Sequence, residues 1–299
     1  MNNKEHNFVS AIVDMSSSGV RDCLPFLEKL NGQLEEHFLQ YEIIGVTTGR
    51  HADASQIRQW ANSIKAPFTL ITMSLKQPHE QCMNAGLDMS IGDYVYEFDT
   101  TEMPYPVETI WKAYETAIQG NDIVSVCPQK TRSKLFYNIF NRFSNAEYQI
   151  RTDAFRLVSR RAINRVHSIN ENQPYRKAAY AACGLKEEVI TFDGMISKKQ
   201  DAPFRLAVDS LVLYTDFGYR FSIGLTLLML IATLAESIYT LIVWIAGNPI
   251  SGWTTTMFVI TTGMTGLFAV LIIVLKYQSL ILGMAFRKQS YLVESVERF

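Results

Sequence analysis

Cysteine is sparse and scattered. The four thiols, Cys23, Cys82, Cys127 and Cys183, form no CxxC pair and no cluster with histidine. That pattern argues against a zinc centre and against a secreted disulfide framework, and leaves buried, reduced thiols as the expectation. An excess of charge is missing as well: 28 Lys and Arg stand against 29 Asp and Glu, a net −1. With no basic stripe interleaved with aromatics, nucleic acid is not an expected partner. No GxGxxG and no Walker loop occurs, so the dinucleotide and triphosphate fingerprints are absent. The serine run of DMSSSG (14–19) has no His and Asp around it in a triad pattern and reads as a loop before a helix. His79 and His167 lack a partner at metal-ligand spacing and read as ordinary structural histidines. The opening MNNKEHNF is polar, without the apolar core of a signal peptide.

Charge is also nearly absent from one long stretch. Between Phe221 and Leu275 the only charged residue is Glu236. Residues 221–246 and 253–275 are each long enough to cross a hydrocarbon core of about 30 Å. GNPISG joins them as a short uncharged turn. The reading is a transmembrane hairpin. Arg220 precedes it and Lys276, Arg287 and Lys288 follow it, whereas the turn has no basic residue, so both chain ends are expected in the cytoplasm. Residues 201–220 mix Phe204, Leu206, Val208, Leu211 and Tyr214 with a few charges, as an amphipathic segment at the membrane surface would. Glu236 in the first span, and Thr262, Gly263, Thr265 and Gly266 in the second, suit packing against another helix, hence a homo-oligomer or a partner membrane protein. Residues 276–299 form a cytoplasmic tail on this reading.

Residues 1–200 alternate strand and helix signals. FVSAIV (8–13), YEIIGVTT (41–48), FTLITM (68–73), YVYEFD (94–99) and DIVSVCP (122–128) read as strands. Residues 24–38, 56–64, 80–91 and 106–118 carry helical spacing between them. Such units predict right-handed crossovers and an α/β domain with a mainly parallel sheet. Ligands then sit off the carboxyl ends of the strands, at DMSSSG, TTGR, MSLKQ and DTTE, where the acids are Asp14, Asp99 and Glu102.

Several segments in this order carry a resemblance: YEIIGV (41–46), AGLDMSIGDYVYEFD (85–99), SKLFYNIFNRFS (133–144), FRLVSRRAINRV (155–166) and YLVESVERF (291–299), with the two spans before the last. Together they resemble the family 2 glycosyltransferases of the polyprenyl-phosphate type, such as dolichol-phosphate mannose synthase and the bactoprenol glucosyltransferases. The resemblance covers nearly the whole chain. It implies a GT-A fold, a nucleotide-sugar donor, Mg2+ or Mn2+, and transfer to a polyprenyl phosphate at the cytoplasmic face in the making of cell-surface glycans. In such sites a metal held by acids stabilises the leaving diphosphate.

Carried over residue by residue, the resemblance implies catalytic roles for Asp99 and Glu102, with Asp99 as the metal ligand. Asp14, Thr47, Arg50 and Thr101 would line the donor site, and Arg156, Arg160 and Lys198 would hold the acceptor phosphate. The acids are nevertheless thinned. Where the family has Asn-Glu after the first strand this chain has DMSSS, where it has Asp-Asp-Gly-Ser there is Thr47-Thr48-Gly49-Arg50, and where it has Asp-x-Asp there is Asp99-Thr100-Thr101. One carboxylate holds Mg2+ poorly. Two readings of different class therefore stand: a transferase with an altered donor site, and a catalytically silent relative that binds a partner enzyme or a lipid-linked glycan.

Overall fold

The computed structural model describes residues 4–16, 20–48, 54–74, 77–129, 151–169, 176–195 and 291–299, with scattered positions between 224 and 281. The chain divides into two compact units. One comprises Met1–Arg142, Ala146–Ala207 and Lys288–Phe299, the other Phe143–Asn145 and Val208–Arg287.

The first unit is built on one sheet of eight strands: β1 (Val9–Asp14), β2 (Tyr41–Thr48), β3 (Phe68–Met73), β4 (Tyr94–Phe98), β5 (Ile123–Pro128), β6 (Phe155–Ser159), β7 (Glu187–Phe192) and β8 (Val293–Arg298). The spatial order is β7-β5-β6-β4-β1-β2-β3-β8. All neighbours pair in parallel except around β6 and β8, which run antiparallel to theirs. β1 is the nearly continuous apolar run VSAIVD, buried at every position, as a strand covered on both faces must be.

The helices are α1 (Val20–His37), α2 (Ala54–Ala61), α3 (His79–Met89), α4 (Thr109–Ala117), α5 (Arg160–Ile169) and α6 (Arg176–Ala182). In α1, Phe26, Leu27, Leu30 and Leu34 recur at helical spacing and are all buried in the main core. Tyr96 and Phe98 of β4 join the same core, where Phe98 meets Phe26 edge-on at 5.2 Å and Phe155 at 5.1 Å. Side chains alternate along a strand, so Glu97, between those two aromatics, is turned to the other face of the sheet.

Two glycines of the AGLDMSIGDY segment have a steric reason. A Cβ on Gly86 would lie 2.4 Å from Ile12 Cγ2, so only glycine lets α3 lie this close to β1. A Cβ on Gly92 would lie 2.5 Å from the Ser10 backbone nitrogen.

The expected α/β class and the mostly parallel sheet are present. FRLVSRRAINRV, quoted only as a motif, is a strand followed by a helix. The terminal residues, expected as a tail, form the edge strand β8, pairing Val296 with Ile71 and Glu297 with Leu70. Arg58 anchors that edge by two bonds to Glu297, at 2.8 and 2.7 Å.

In the second unit, the place of a Cβ on Gly266 is 2.7 Å from Met229 Cγ. Among the described residues no helix is long and apolar enough to cross a membrane. The expected amphipathic segment 201–220 lies outside the described residues, as do most of the expected spans and Glu236, Thr262 and Thr265.

Candidate functional site

Strand register assembles the site. Val13 is paired with Phe98, so Asp14 and Asp99 emerge side by side at the carboxyl ends of β1 and β4. From β1 the chain steps through β2 and β3 to one side, while β4 lies on the other. Asp14 and Asp99 thus flank the topological switch point, where open α/β sheets bind ligands.

A histidine ties them together. His79 opens α3, and its Nδ1 bonds Asp14 Oδ2 while its Nε2 lies 3.1 Å from Asp99 Oδ1. A ring nitrogen facing a carboxylate must carry a proton to bond it, so two such partners make this ring an imidazolium. Burial opposes the charge, but Asp99 and Asp14 outweigh it and push the His79 pKa up to about 10.

Two more cations close on Asp99. Arg176, only 1% exposed, opens α6 and donates to three acids: Nε to Glu80 at 2.9 Å, Nη1 to Glu97 at 2.5 Å and Nη2 to Asp99 at 2.8 Å. Lys177 Nζ lies 3.3 Å from Asp99 Oδ2 and also bonds Asp153. Burial alone would raise the Asp99 pKa; Lys177, Arg176 and His79 reverse that and hold the carboxyl well below the usual range. Glu97 behaves differently. Burial lifts its pKa despite the nearby arginines, and Tyr180 donates a hydrogen bond of 2.6 Å to it.

Arg156 extends the same network. It lies on β6 opposite Glu97 and Ser125, pairs with Asp153 and stacks 5.4 Å above the Tyr180 ring. Its Nε and Nη1 are buried without a hydrogen-bond partner, beside a small cavity also lined by Arg151, Lys177, Tyr180 and Glu187.

The sequence-predicted residues divide as follows. Asp14 and Asp99 come together, and Arg156 stands beside them within the buried charge network. Thr47 is buried one strand away on β2, past the Val46 that pairs with Asp14. Thr101 is buried in the loop after β4, where the Thr100 hydroxyl accepts the Glu102 backbone N–H at 2.8 Å.

Arg160, expected to hold the acceptor phosphate with Arg156, lies apart from it. Because β6 runs antiparallel to β4, with Ser159 opposite Tyr94, Arg160 falls at the amino end of β4. There it donates to the carbonyls of Gly92 and Ser90, both at 2.9 Å, at the far end of the sheet from Asp99. Arg50 and Lys198 lie outside the described residues.

His79 is the principal residue that sequence reasoning passed over, and Arg176, Lys177, Glu80 and Glu97 follow it. A signal existed for Glu97 alone: an acid in the middle of the apolar strand YVYEF must find a buried cation.

A divalent metal does not fit the residues that face each other here. Asp14 Oδ1 accepts the Ser16 N–H and Oδ2 bonds His79. Asp99 Oδ1 is shared by Arg176 and His79, and Oδ2 faces Lys177. All four oxygens are engaged by the protein's own donors. Among the described residues no group of three or more His, Cys, Asp or Glu is placed to hold a metal ion. Asp99, expected as the metal ligand, stands here as the acid of an internal ion-pair network.

The architecture defines an open α/β protein with its polar centre at the switch point of a mostly parallel sheet. No family model matches the chain. Among curated proteins it is similar to an uncharacterized glycosyltransferase of Synechocystis, 23% identical over 166 residues that cover 52% of this chain and 51% of that protein. It is also similar to a prophage bactoprenol glucosyl transferase homolog of Escherichia coli, 22% identical over 216 residues, 67% of this chain and 70% of that protein. The chain spans about half the length of the first of these relatives. A solved mannosyltransferase, PcManGT from Pyrobaculum calidifontis with GDP-Man and Mn2+, aligns with 89% of this chain and 88% of its own at 15% identity and a TM-score of 0.48. The resemblance to glycosyltransferases read from the sequence motifs is shared with these curated proteins.

Proposed function

We propose that this protein is a membrane-anchored glycosyltransferase-like protein that takes a nucleotide sugar as donor and a polyprenyl phosphate, or a related lipid-linked molecule, as acceptor. The supporting observation is the placing of Asp14 and Asp99 side by side at the switch point of the sheet, just past the paired Val13 and Phe98, in a chain similar to a bactoprenol glucosyl transferase homolog. In the reaction an oxygen of the lipid phosphate attacks the anomeric carbon of the donor. The bond from that carbon to the diphosphate breaks, and the nucleoside diphosphate leaves with the electron pair. An acceptor that is already an anion needs no strong general base. On this reading the donor lies over Asp14, Thr47, Arg50 and Thr101, Asp99 and Glu102 face the reacting end, and Arg156 and Lys198 attract the acceptor phosphate. The protein sits at the cytoplasmic face of the membrane, with both chain ends inside, and assembles with a second copy or a partner membrane protein.

A second reading has its own observation. The carboxylates are held by His79, Arg176 and Lys177, which suits a catalytically silent relative that binds a partner enzyme or a lipid-linked glycan. Calorimetric titration of the detergent-solubilised chain with UDP-glucose and GDP-mannose separates the two. Saturable binding of either donor, weakened at least tenfold by Asp99→Asn, supports the transferase reading. No binding of either donor, with the chain folded, leaves the silent one.

A further inference from the structure

The feature that neither the sequence motifs nor the similar proteins account for is the histidine between the two aspartates. Two carboxylates at a switch point form a cation site when their oxygens converge. A divalent ion needs them on one point, at about 2.0–2.1 Å for Mg2+. Here they do not converge. They lie on opposite sides of an imidazole ring and are kept a ring's width apart, one on each nitrogen.

We infer that His79 is a resident cation: its imidazolium, clamped between Asp14 and Asp99, fills the place a bridging divalent ion would take, and this centre binds its ligand without a metal. The inference rests on the proposed donor site for its meaning, but its physical content concerns this chain's own side chains.

Three observations support it. First, the ring is fixed from its own element. His79 is the first residue of α3, a helix packed on β1, β2 and β3 and brought close by Gly86, so the imidazole stands over the ends of β1 and β4. The amino end of a helix favours the adjoining carboxylates but disfavours a cation on its own first residue, so the two aspartates are what hold the imidazolium there. Second, the acids around the ring already have cationic partners within the protein. The acids Asp14, Glu80, Glu97, Asp99 and Asp153 face the bases His79, Arg156, Arg176 and Lys177. A divalent ion entering here would have to break ion pairs that are already made, and a buried charge left without its partner is costly. Third, the His79 side chain is 36% exposed while those of Asp14 and Asp99 are 2% and 9% exposed. The ring is thus the part of the cluster that meets solvent, and an ion arriving from solution would have to displace it.

The test uses Mn2+ alone, followed by electron paramagnetic resonance of the free ion, on the full detergent-solubilised chain. Wild type is expected to show no saturable binding up to roughly 1 mM, the weak end of oxygen-ligated cation sites. His79→Ala opens the carboxylate pair and is expected to bind Mn2+ at least tenfold more tightly than wild type, with the gain lost on adding Asp99→Asn. His79→Lys keeps a cation in place and should stay as blind to Mn2+ as wild type. Should the alanine variant fail to fold, His79→Gln, neutral and of similar size, takes its place with the same expected gain.

Saturable Mn2+ binding by wild type that Asp99→Asn abolishes would overturn the inference. So would a folded neutral variant with no gain, or equal gains in the alanine and lysine variants. Donor titrations in EDTA and in Mn2+ keep this apart from the functional proposal. A donor that binds equally well in both supports both ideas. A donor that binds only with Mn2+ overturns the resident cation and leaves the transferase reading standing. No donor binding, together with exclusion of Mn2+, overturns the transferase reading alone.

Discussion

Replacing Arg176 by Met removes the cation on which three acids converge. The guanidinium is 1% exposed and donates to Glu80, Glu97 and Asp99, whose side chains are 7%, 2% and 9% exposed. Methionine fills much of the space but returns nothing to the carboxylates. Breaking a buried ion pair from one side costs about 3–5 kcal/mol, because the remaining charge is left without compensation. For a domain of this size each kcal/mol moves the midpoint by about 2–4 °C, so the thermal transition should fall by about 6–20 °C. Glu97 is the acid whose charge burial already disfavours, so Glu97→Gln in the Arg176→Met background should recover part of the loss. The coupling between the two sites should lie within about 0.5–3 kcal/mol, as for residues that share one network. Differential scanning calorimetry of the four proteins of that cycle is the assay. A fall of less than about 3 °C for Arg176→Met, roughly 1 kcal/mol by the same conversion, would refute the view that Arg176 holds the site together.

Three other outcomes follow from the same contacts. The His79 pKa is raised from 6.5 to about 10, so its stabilisation is fully present below pH 6.5 and is lost as pH rises through about 10. The difference in urea midpoint between wild type and His79→Gln should therefore shrink across that range, and a constant difference would contradict the bridge. Gly86→Ala gains about 1 kcal/mol of helix propensity, but its Cβ would sit 2.4 Å from Ile12 Cγ2, and overpacking of about 1–3 kcal/mol should win; a raised melting temperature would refute the close approach of α3 to β1. For the expected hairpin, a cysteine at Ser251 should react with an impermeant thiol reagent added outside, and one at the exposed Glu294 only after permeabilisation; the reverse pattern would sink the topology.

The parts of this protein legible in the sequence are those fixed by local patterns. β1 to β5 and α1 to α4 follow from the alternation of apolar strands and 3.6-residue periodicities, each within a few residues of its observed limits. The neighbouring positions of Asp14 and Asp99 were legible because both close buried strands at the end of the sheet where such folds bind ligands. The remainder depends on pairings that no local pattern records. The bridge from His79 to Asp14 spans 65 positions and the ion pair from Arg176 to Asp99 spans 77, so a lone histidine and an Arg-Lys pair look unremarkable in the sequence. Strand direction was hidden as well: the antiparallel course of β6 keeps Arg156 near Asp99 and sends Arg160, four residues on, to the opposite end of the sheet. YLVESVERF reads as a tail because nothing nearby in sequence pairs with it, yet β3 accepts it as the edge strand.

What lies between Asp14 and Asp99 decides how this centre holds its ligand. Anomalous diffraction at the manganese edge from crystals of the full chain grown with Mn2+ and UDP-glucose answers that directly. The expected result is the His79 ring bonded to both carboxylates, with no manganese peak between them. A manganese peak bonded to Asp14 and Asp99, with His79 swung out, would contradict it.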